Sequence, residues 1–214
     1  MVESERALLK RGVNQIGLNL DSNQISQLIR YLDLLEKWNL VYNLTAISRR
    51  SEMLGRHLLE SLAIASYLKG ESRLDLGTGA GLPGIPLAIA DPENKYTLID
   101  SNGKKTRFLQ EVKRQLGLSN IEVITARAEA WEAPQKFQAV LTRAFADLLT
   151  TCIRTEHLLA EQGCLFAMKS AYSSHEIVEL PNHIKVENTR EVSIPGRDHG
   201  FQLITLIRNK TYAL

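Results

Sequence analysis

The sequence predicts an α/β protein with a mostly parallel sheet, an antiparallel pair of strands at the C-terminal end of the chain, and several helices before the sheet. Two observations support this class. From residue 73 onward, short apolar runs typical of strands alternate with helical patterns, as in a parallel sheet that helices cover on both faces. Two final β-rich runs, residues 183–194 and 201–207, are joined by a short connector without a helix, which is typical of a hairpin-like pair.

The composition is that of an ordinary globular protein. Hydrophobic residues make up 44% and charged residues 23% of the 214 residues, which suits one sizeable domain with an addition. No apolar run approaches the length of a membrane span, and residues 1–12 lack an apolar secretion signal, so we expect a cytoplasmic protein without a membrane partner. The net charge of +2 permits a nucleic-acid partner but does not by itself predict one.

The two cysteines predict neither a metal site nor a disulfide framework. Cys152 and Cys164 stand outside any Cys-x-x-Cys or Cys/His cluster with the spacing of metal ligands, and no secretion signal accompanies them. We therefore expect two reduced structural thiols and no bound metal.

The N-terminal part of the chain predicts helices. Asp21 is a good N-cap with Gln24 as its capping-box partner, and apolar residues recur at helical spacing after it. A second helix is predicted over residues 53–68. We expect residues 1–55 to form a helical extension and residues 56–214 to form the domain that contains the sheet.

The remaining elements follow in a regular order. A strand is predicted over residues 73–76, and a helix begins near Gly84, where the neighbouring prolines are tolerated in the first turn. A helix over residues 104–116 stops at Gly117, a natural C-terminal cap. The other predicted elements are strands over residues 96–100, 121–125, 139–141 and 164–168 and a helix over about residues 147–160.

A glycine-rich turn over residues 75–84 is the most informative segment. Glycines are needed where the backbone turns sharply and lies close to a ligand, because a Cβ atom would clash. The GxGxxG spacing of residues 79–84 matches the dinucleotide fingerprint, which alone is a weak signal. The DxGxGxG spacing of residues 75–81 instead fits the turn that receives S-adenosylmethionine, whose amine Asp75 would hold directly or through water. A structural turn without a ligand is the third interpretation.

Carboxylates after the next two strands suit the adenosine of either cofactor. Asp100 would accept the ribose hydroxyls, serve as a helix N-cap or turn residue, or do both, and Ser101 and Asn102 beside it would also fill the cap or turn role. Glu129, beside the small residue Ala128, would accept the adenine amine, or it would be a solvated loop charge. Because both cofactors carry adenosine, these residues do not separate them.

Two cations mark the same predicted edge of the sheet. Arg143 at the end of the fourth strand would meet a cofactor carboxylate, a phosphate or a guanine edge, or it would pair with Asp147 at the surface. Lys169 at the end of the fifth strand would hold a phosphate or simply close the strand in solvent.

Several segments match one known family in order across nearly the whole chain, which is far more specific than a single glycine motif. The matching segments are residues 42–47, 56–62, 75–86, 100–109, 128–129 and 143–144. With them the chain resembles the bacterial small-subunit ribosomal RNA methyltransferase G family, also named glucose-inhibited division protein B. The departures are Glu60 for the family's usual aspartate, Thr78 and Thr142 for its serines, and Ser170 for the glycine after Lys169.

The resemblance implies a Rossmann-like class I methyltransferase sheet and the transfer of a methyl group from S-adenosylmethionine to N7 of a guanine in 16S ribosomal RNA. By the same resemblance, five residues line the cofactor site, and the residue pattern adds Gly79 and Asp100. The five are Gly77, Leu82, Ala128, Glu129 and Arg143.

The residues after the fourth predicted strand agree with that chemistry. Guanine N7 carries a lone pair and no proton, so its methylation requires orientation rather than a general base. Residues 142–145 read Thr-Arg-Ala-Phe, unlike the Asn/Asp-Pro-Pro-aromatic tetrad of enzymes that methylate exocyclic amines. Neither cysteine follows a proline, as a nucleophile for cytosine C5 often does. No residue is assigned as catalytic, and Arg143 is the best candidate for orienting the substrate or stabilising the transition state.

Cations in two regions are candidates for contact with RNA phosphates, although a solvated basic face explains each of them equally well. They are Arg49, Arg50, Arg56, His57, Lys104, Lys105 and Arg107. His57 would alternatively be a helix histidine with a partner inside the protein. Given the modest net charge, we expect a monomer that acts on structured RNA or a small-subunit particle. The competing functions are a nicotinamide-dependent oxidoreductase and a non-catalytic RNA-binding assembly factor.

Overall fold

The computed structural model describes residues 4–170 and 174–209. Its described part contains one seven-stranded sheet. The strands are β1 (Ser72–Leu76), β2 (Lys95–Asp100), β3 (Ile121–Thr125), β4 (Phe137–Arg143), β5 (Leu159–Lys169), β6 (Ile184–Val192) and β7 (Phe201–Arg208). They lie in the order β3-β2-β1-β4-β5-β7-β6.

Strands β3, β2, β1, β4 and β5 run parallel, whereas β7 is antiparallel to both β5 and β6. This arrangement confirms the predicted α/β class and its antiparallel final pair. The chain leaves β1 toward β2 and β3 on one side and continues with β4 on the other, so the strand order reverses between β1 and β4. Leu76 lies opposite Ile99 of β2 and Thr142 of β4, which brings three carboxyl ends to one level. Such a reversal opens a crevice at that edge.

Helices precede the sheet and cover it. They are α1 (Glu5–Gln15), α2 (Ser22–Tyr42), α3 (Arg50–Met53), α4 (Glu60–Leu62), α5 (Gly84–Ala90), α6 (Gly103–Leu116), α7 (Leu148–Thr155) and α8 (Ser174–Val178). Between α3 and α4 the backbone is π-helical over Leu54–Leu59. No helix within the described ranges combines the length and the apolar character that a membrane crossing requires.

Capping side chains and glycines set the ends of the long helices. Asp21 accepts the backbone N–H of Gln24 at 2.8 Å, and the Gln24 side chain accepts the N–H of Asp21 at 2.9 Å, so the predicted capping box is confirmed. At the start of α6, Asn102 accepts the N–H of Lys104 at 2.9 Å. Gly117 ends α6 in the left-handed conformation, with φ 65°, as its sequence position predicted.

The two faces of the sheet bury different partners. On one face, Leu28 of α2 shares a buried cluster with Leu98 of β2 and with residues of α5 and α6. On the other face, Val140 of β4 packs in a second cluster with Leu148 of α7. Successive strand residues therefore point to opposite cores, as a parallel sheet buried on both sides requires.

The predicted boundary at residue 55 falls inside the π-helical stretch Leu54–Leu59. Met53 before it and Leu58 after it are both buried in the core that faces the sheet. The N-terminal helices thus pack directly on the sheet, and the division of the chain into residues 1–55 and 56–214 stays a prediction.

The helix predicted over residues 53–68 has different bounds in the structure. It begins at Arg50 and ends at Leu62. Leu68 is already extended, with ψ 132°, because the chain must leave the helix to enter β1. The apolar residues keep their helical spacing past this turn. The sequence prediction therefore placed the end of the helix too late.

The helix predicted over residues 147–160 also ends early, at Thr155. A 3-10 turn over Glu156–Leu158 follows it, and Leu159 then joins β5 opposite Phe137 of β4. Strand β5 therefore begins at Leu159 instead of residue 164. An apolar leucine pair fits the end of a helix and the start of a strand equally well, so local pattern did not separate the two.

Candidate functional site

A cavity of about 280 Å³ opens at the carboxyl edge of the sheet, where the strand order reverses. Four of the seven residues predicted to bind a cofactor line it, and they come from the ends of three different strands. These four are Gly77, Asp100, Ala128 and Glu129. The sequence interpretation therefore brought together residues that lie far apart in the chain.

The glycine turn after β1 forms one wall of this cavity. Gly77 and Gly79 adopt left-handed backbone conformations, with φ of 61° and 60°. A Cβ atom on Gly77 would lie 2.6 Å from Cδ2 of Phe145, so both the backbone conformation and the close approach of this ring require glycine. The N–H of Thr78 donates to the carbonyl of Ile99 at 3.0 Å, which ties the turn to β2.

Asp75 organises the turn from beneath it. Its side chain is fully buried, and Oδ2 accepts both the Thr78 hydroxyl at 2.6 Å and the Gly84 N–H at 2.7 Å. Burial raises the pKa of Asp75 to about 6, against the lowering effect of these two hydrogen bonds. Oδ1 is buried without a hydrogen-bond partner among the described residues. The contact between Asp75 and a ligand amine stays a prediction. Oδ1 is the oxygen that would make it.

Asp100 joins the two loops at the mouth of the cavity. Its Oδ2 accepts the Gly79 N–H at 3.0 Å and lies 3.4 Å from Nζ of Lys105, and its Oδ1 accepts the Asn102 N–H at 2.8 Å. Three of the roughly four acceptor sites of the carboxylate are used, so Oδ1 can still accept a hydrogen bond from a ribose hydroxyl. Asn102, not Asp100, is the N-cap of α6, whereas the bond from the Asn102 N–H gives Asp100 the alternative role of a turn residue.

The loop after β3 forms the opposite wall. Ala128 is buried at the start of a 3-10 turn, and the partly exposed Glu129 next to it lines the cavity. The carboxylate of Glu129 lies 3.9 Å from Nη1 of Arg127, a long contact that leaves its acceptor capacity largely unused. Ile99 and Phe145 add apolar surface between the two walls. The cavity thus combines apolar surface with two carboxylates and with three cations, Lys105, Arg127 and Arg154.

The other three predicted residues are absent from the cavity lining. Gly79 supports the turn through its bond to Asp100, and Leu82 packs partly buried against the core of the N-terminal helices. Arg143 turns away to the same helical side, where Nη2 donates to the Arg56 carbonyl at 2.8 Å and pairs with Glu60 at 3.0 Å. Their roles toward a cofactor stay predictions.

Arg143 lies in a buried polar cluster that the sequence did not reveal. Burial lowers its pKa, and its Nη1 is buried without a hydrogen-bond partner among the described residues. Tyr31 from α2 lies close by and donates to the Ala80 carbonyl at 2.8 Å. The expected alternative partner, Asp147, instead caps α7 by accepting the Thr150 N–H at 2.7 Å. The members of this cluster come from four segments that lie far apart in the chain, so the sequence alone does not show that they meet.

His57 belongs to the same cluster and is not a surface cation. Its side chain is buried, and Nε2 lies 3.0 Å from the Thr45 hydroxyl. Burial and, next, the charge of Arg143 lower the pKa of His57 to about 4, so the ring is neutral at pH 7. The prediction of an RNA contact by His57 is therefore wrong in this structure.

Two further predicted phosphate ligands have internal partners. Arg50 donates to Glu5 at 2.6 Å and to Asp33 at 2.7 Å, which ties α3 to α1 and α2. Lys169 donates to Glu176 at 2.8 Å and to a backbone carbonyl, so it fastens β5 to α8 rather than ending in solvent. The exposed cations among the candidates are Arg49, Arg56, Lys104 and Arg107, and Lys105 lines the cavity beside Asp100.

Neither cysteine forms a disulfide, and the described residues form no metal site. Cys152 and Cys164 are both free, as predicted, and burial raises the pKa of Cys152 to about 12. In the part of the chain that the structure describes, no three His, Cys, Asp or Glu side chains converge in a geometry that would hold a metal ion.

The sequence interpretation missed one aromatic residue and one basic residue of the cavity. Phe145 lies against Gly77, and the guanidinium of Arg154 from α7 lies 5.9 Å from the Phe145 ring centre. Both side chains line the cavity. The position of Phe145, two residues after β4 at the carboxyl edge, was an available signal. Nothing in the sequence indicated Arg154.

Known proteins with similar sequences share one description. The family model for GidB, rRNA small subunit methyltransferase G, matches residues 24–204. The ribosomal RNA small subunit methyltransferase G of Nitrosococcus oceani is 46% identical over 188 residues, which cover 88% of this chain and 88% of that protein.

Solved structures support the fold. A SAM-dependent methyltransferase from Aquifex aeolicus matches with a TM-score of 0.53 and 18% identity over 74% of this chain and 94% of its own. A SAM-dependent methyltransferase from Thiobacillus denitrificans, solved with S-adenosyl-L-homocysteine, matches with a TM-score of 0.50 and 11% identity over 70% of this chain and 91% of its own. The family model covers most of the chain and the sequence identity is high, so this chain belongs to the GidB family of rRNA small subunit methyltransferases G.

Proposed function

We propose that this protein transfers the methyl group of S-adenosylmethionine to N7 of a guanine in 16S ribosomal RNA. The observation that carries the proposal is the cavity at the strand reversal, because residues from three strand ends meet there in a chain of this family. Gly77, Asp100 and Glu129 line that cavity.

The donor set of the cavity fits the adenosine part of the cofactor. Asp100 retains acceptor capacity for ribose hydroxyls, and Glu129 offers a carboxylate to the adenine amine. Apolar side chains of Ile99 and Phe145 would flank the base. Asp75 and Arg143 do not line the cavity, so their unpartnered Oδ1 and Nη1 atoms would reach the amine and carboxylate of the methionine end only after the glycine turn and the Arg143 side chain moved.

A nicotinamide dinucleotide fits less well. In that class the pyrophosphate sits on free backbone N–H groups at the start of the helix after the glycine turn. Here the Gly84 N–H at the start of α5 donates to the buried Asp75 carboxylate at 2.7 Å. A Cβ on Gly84 would lie 2.2 Å from Leu98, so this glycine serves close packing of α5 on the sheet. The third glycine of a dinucleotide fingerprint packs in the same way, so the engaged Gly84 N–H, and not this packing, is what disfavours a pyrophosphate here.

In the proposed reaction, the protein binds and orients the two reactants and transfers no proton. When bound, S-adenosylmethionine supplies an electrophilic methyl group on a sulfonium sulfur. Guanine N7 has a lone pair and carries no proton, so no general base is needed. Orientation of the two reactants supplies up to about 7–11 kcal/mol in favourable cases. Arg143, fixed by Glu60 and the Arg56 carbonyl, is the group we assign to orient the substrate.

The proposed setting is a bacterial cytoplasm, with the protein acting as a monomer on structured RNA or a small-subunit particle. The N-terminal helices, residues 1–55, would form part of the surface that meets this substrate. The exposed Arg49 lies within this range, and the exposed Arg56 directly follows it, which supports this assignment.

Titration calorimetry tests the proposal on the purified protein. S-adenosylmethionine and S-adenosylhomocysteine are each expected to bind at one site, and NADH is expected to produce no heat of binding. Binding of NADH without binding of S-adenosylmethionine would favour the oxidoreductase. Binding of neither, with retained affinity for small subunits, would favour the non-catalytic assembly factor.

A further inference from the structure

A second cavity, of about 340 Å³, lies on the helical side of the molecule. Helix α1, the π-helical stretch Leu54–Leu59 and the connector between β6 and β7 form its walls. Three arginines line it, and the carboxylate of Glu52 lines it as well. The three are Arg11, Arg56 and Arg197. Glu52 pairs with Arg49 at 3.3 Å, so its charge is already engaged.

One carboxylate serves two guanidinium groups beside this cavity. Glu60, whose side chain is 13% exposed, pairs with Arg143 at 3.0 Å and also with Arg197. After burial, the positive charge of Arg56 is the next cause that lowers the pKa of Arg197, and Arg56 also lowers the pKa of Arg143. Three cations therefore lie close enough to repel each other around a single anion, which leaves an excess of positive charge.

Arg56 is the member of this group with an available guanidinium. Its side chain is exposed, and within the described residues it forms neither a hydrogen bond nor an ion pair. Only its backbone is engaged, since its carbonyl accepts the bond from Arg143. It lies in a π-helical stretch, a backbone form that often marks functional sites.

Arg197 is held in place over the same stretch. Its Cδ would lie 3.7 Å from a Cβ on Gly55, an ordinary van der Waals distance, so the arginine side chain lies over this part of the helix. Its pair with Glu60 fixes the guanidinium next to Arg56. Both guanidinium groups border the same cavity, and together they offer the paired N–H donors that phosphate oxygens accept.

The position relative to the first cavity indicates which phosphate would bind. Arg143 connects the two sites, because its side chain bonds to Arg56 and the next two residues, Ala144 and Phe145, line the first cavity. We propose that Arg56 and Arg197 bind a backbone phosphate of the substrate RNA, close to the nucleotide that is methylated. This inference rests on the proposed function and adds a binding site to it.

The salt dependence of RNA binding tests this site. Small ribosomal subunits from cells lacking the protein are titrated with wild type and Arg56→Gln at several potassium chloride concentrations. Loss of one phosphate contact is expected to weaken binding roughly tenfold at low salt and to reduce the slope of log K against log salt by about 0.7–0.9. Arg30→Gln is the matched control, since Arg30 is also exposed but contacts Gln115 on α6, away from both cavities.

A second variant and a separate readout keep the two proposals distinguishable. Arg197→Lys retains a charge but loses the guanidinium fork, and it is expected to weaken RNA binding severalfold with little change in slope. Affinity for S-adenosylmethionine, measured by calorimetry, is expected to be unchanged in Arg56→Gln. Wild-type RNA affinity and slope in Arg56→Gln would overturn the phosphate site. Failure of the wild type to bind S-adenosylmethionine would instead overturn the proposed function.

Discussion

The Oδ2 atom of Asp100 lies 3.0 Å from the backbone nitrogen of Gly79, so one carboxylate both faces the cavity and holds the glycine turn in place. The two residues lie at the ends of neighbouring parallel strands, β2 and β1, whose register brings them together. Any change at Asp100 is therefore expected to affect ligand binding and the shape of the turn at once.

Asp100→Asn is expected to weaken binding of S-adenosylmethionine by roughly tenfold to a hundredfold. The amide keeps one acceptor but loses the charge that strengthens the bonds to Gly79, Asn102 and the proposed ribose, and one charged hydrogen bond contributes about 1.5–3 kcal/mol. Calorimetry measures the change. Glu93→Gln removes one exposed charge in the loop before β2 and is expected to bind as wild type. Wild-type affinity in Asp100→Asn would remove the carboxylate from the site.

Gly77→Ala is expected to weaken cofactor binding and to lower the melting temperature. The new Cβ would meet Phe145 at 2.6 Å, and φ of 61° is strained for alanine by about 1 kcal/mol. Gly117→Ala is the matched control, because φ is 65° there but no atom lies within 4 Å of the new Cβ. This control is expected to lose stability without losing cofactor affinity. Equal affinity losses in both variants would show that the contact with Phe145 does not matter.

His57→Gln is expected to remove part of the acid sensitivity of the fold. Burial lowers the pKa of His57 to about 4 from an unfolded value near 6.5, so the unfolded state takes up a proton first as pH falls. The stability of wild type then decreases between pH 6.5 and pH 4, by roughly 3 kcal/mol from this residue. Urea unfolding of both proteins at pH 7.5 and pH 4.5 gives the comparison. The opposite contribution of Asp75, whose pKa is raised to about 6, is common to both proteins and cancels. An identical pH dependence in the two proteins would contradict a buried neutral His57.

Glu60→Gln is expected to destabilise the protein strongly and to reduce methyl transfer. It leaves Arg143 and Arg197 without their shared anion, and removing one partner of a buried ion pair costs about 3–5 kcal/mol. Glu111→Gln breaks a comparable pair with Arg114, which is 71% exposed, and no measurable change in melting temperature is expected. Thermal unfolding of both variants checks the contrast. A small effect at Glu60 would show that the cluster is well solvated.

The mostly parallel sheet and the edge that contains the first cavity were accessible from the sequence because both depend on local pattern. Alternating strands and helices imply a parallel sheet, and the residues that follow each strand then share one edge. Gly77, Asp100 and Glu129 were placed correctly for that reason. The ends of helices were harder, as at Leu159, where the apolar pattern suits both a helix and a strand.

The partners of the charged residues could not be predicted in the same way. Arg143 pairs with Glu60, and Lys169 pairs with Glu176, through contacts that depend on how helices pack across the sheet edge. Each cation was expected at a ligand or at the surface, since a sequence gives the charge but not the nearest opposite charge. The buried, neutral state of His57 likewise follows from packing that no local motif records.

The most direct measurement is mass mapping of small-subunit RNA after incubation with the purified protein. Small subunits from cells lacking the protein are incubated with S-adenosylmethionine that carries an isotope-labelled methyl group. We expect one labelled 7-methylguanosine in 16S ribosomal RNA, and a lower initial rate of labelling with Asp100→Asn at a cofactor concentration that saturates only the wild type. Unlabelled RNA with the wild-type protein, or a label on another atom or molecule, would contradict the assignment of this cavity to methyl transfer onto guanine N7.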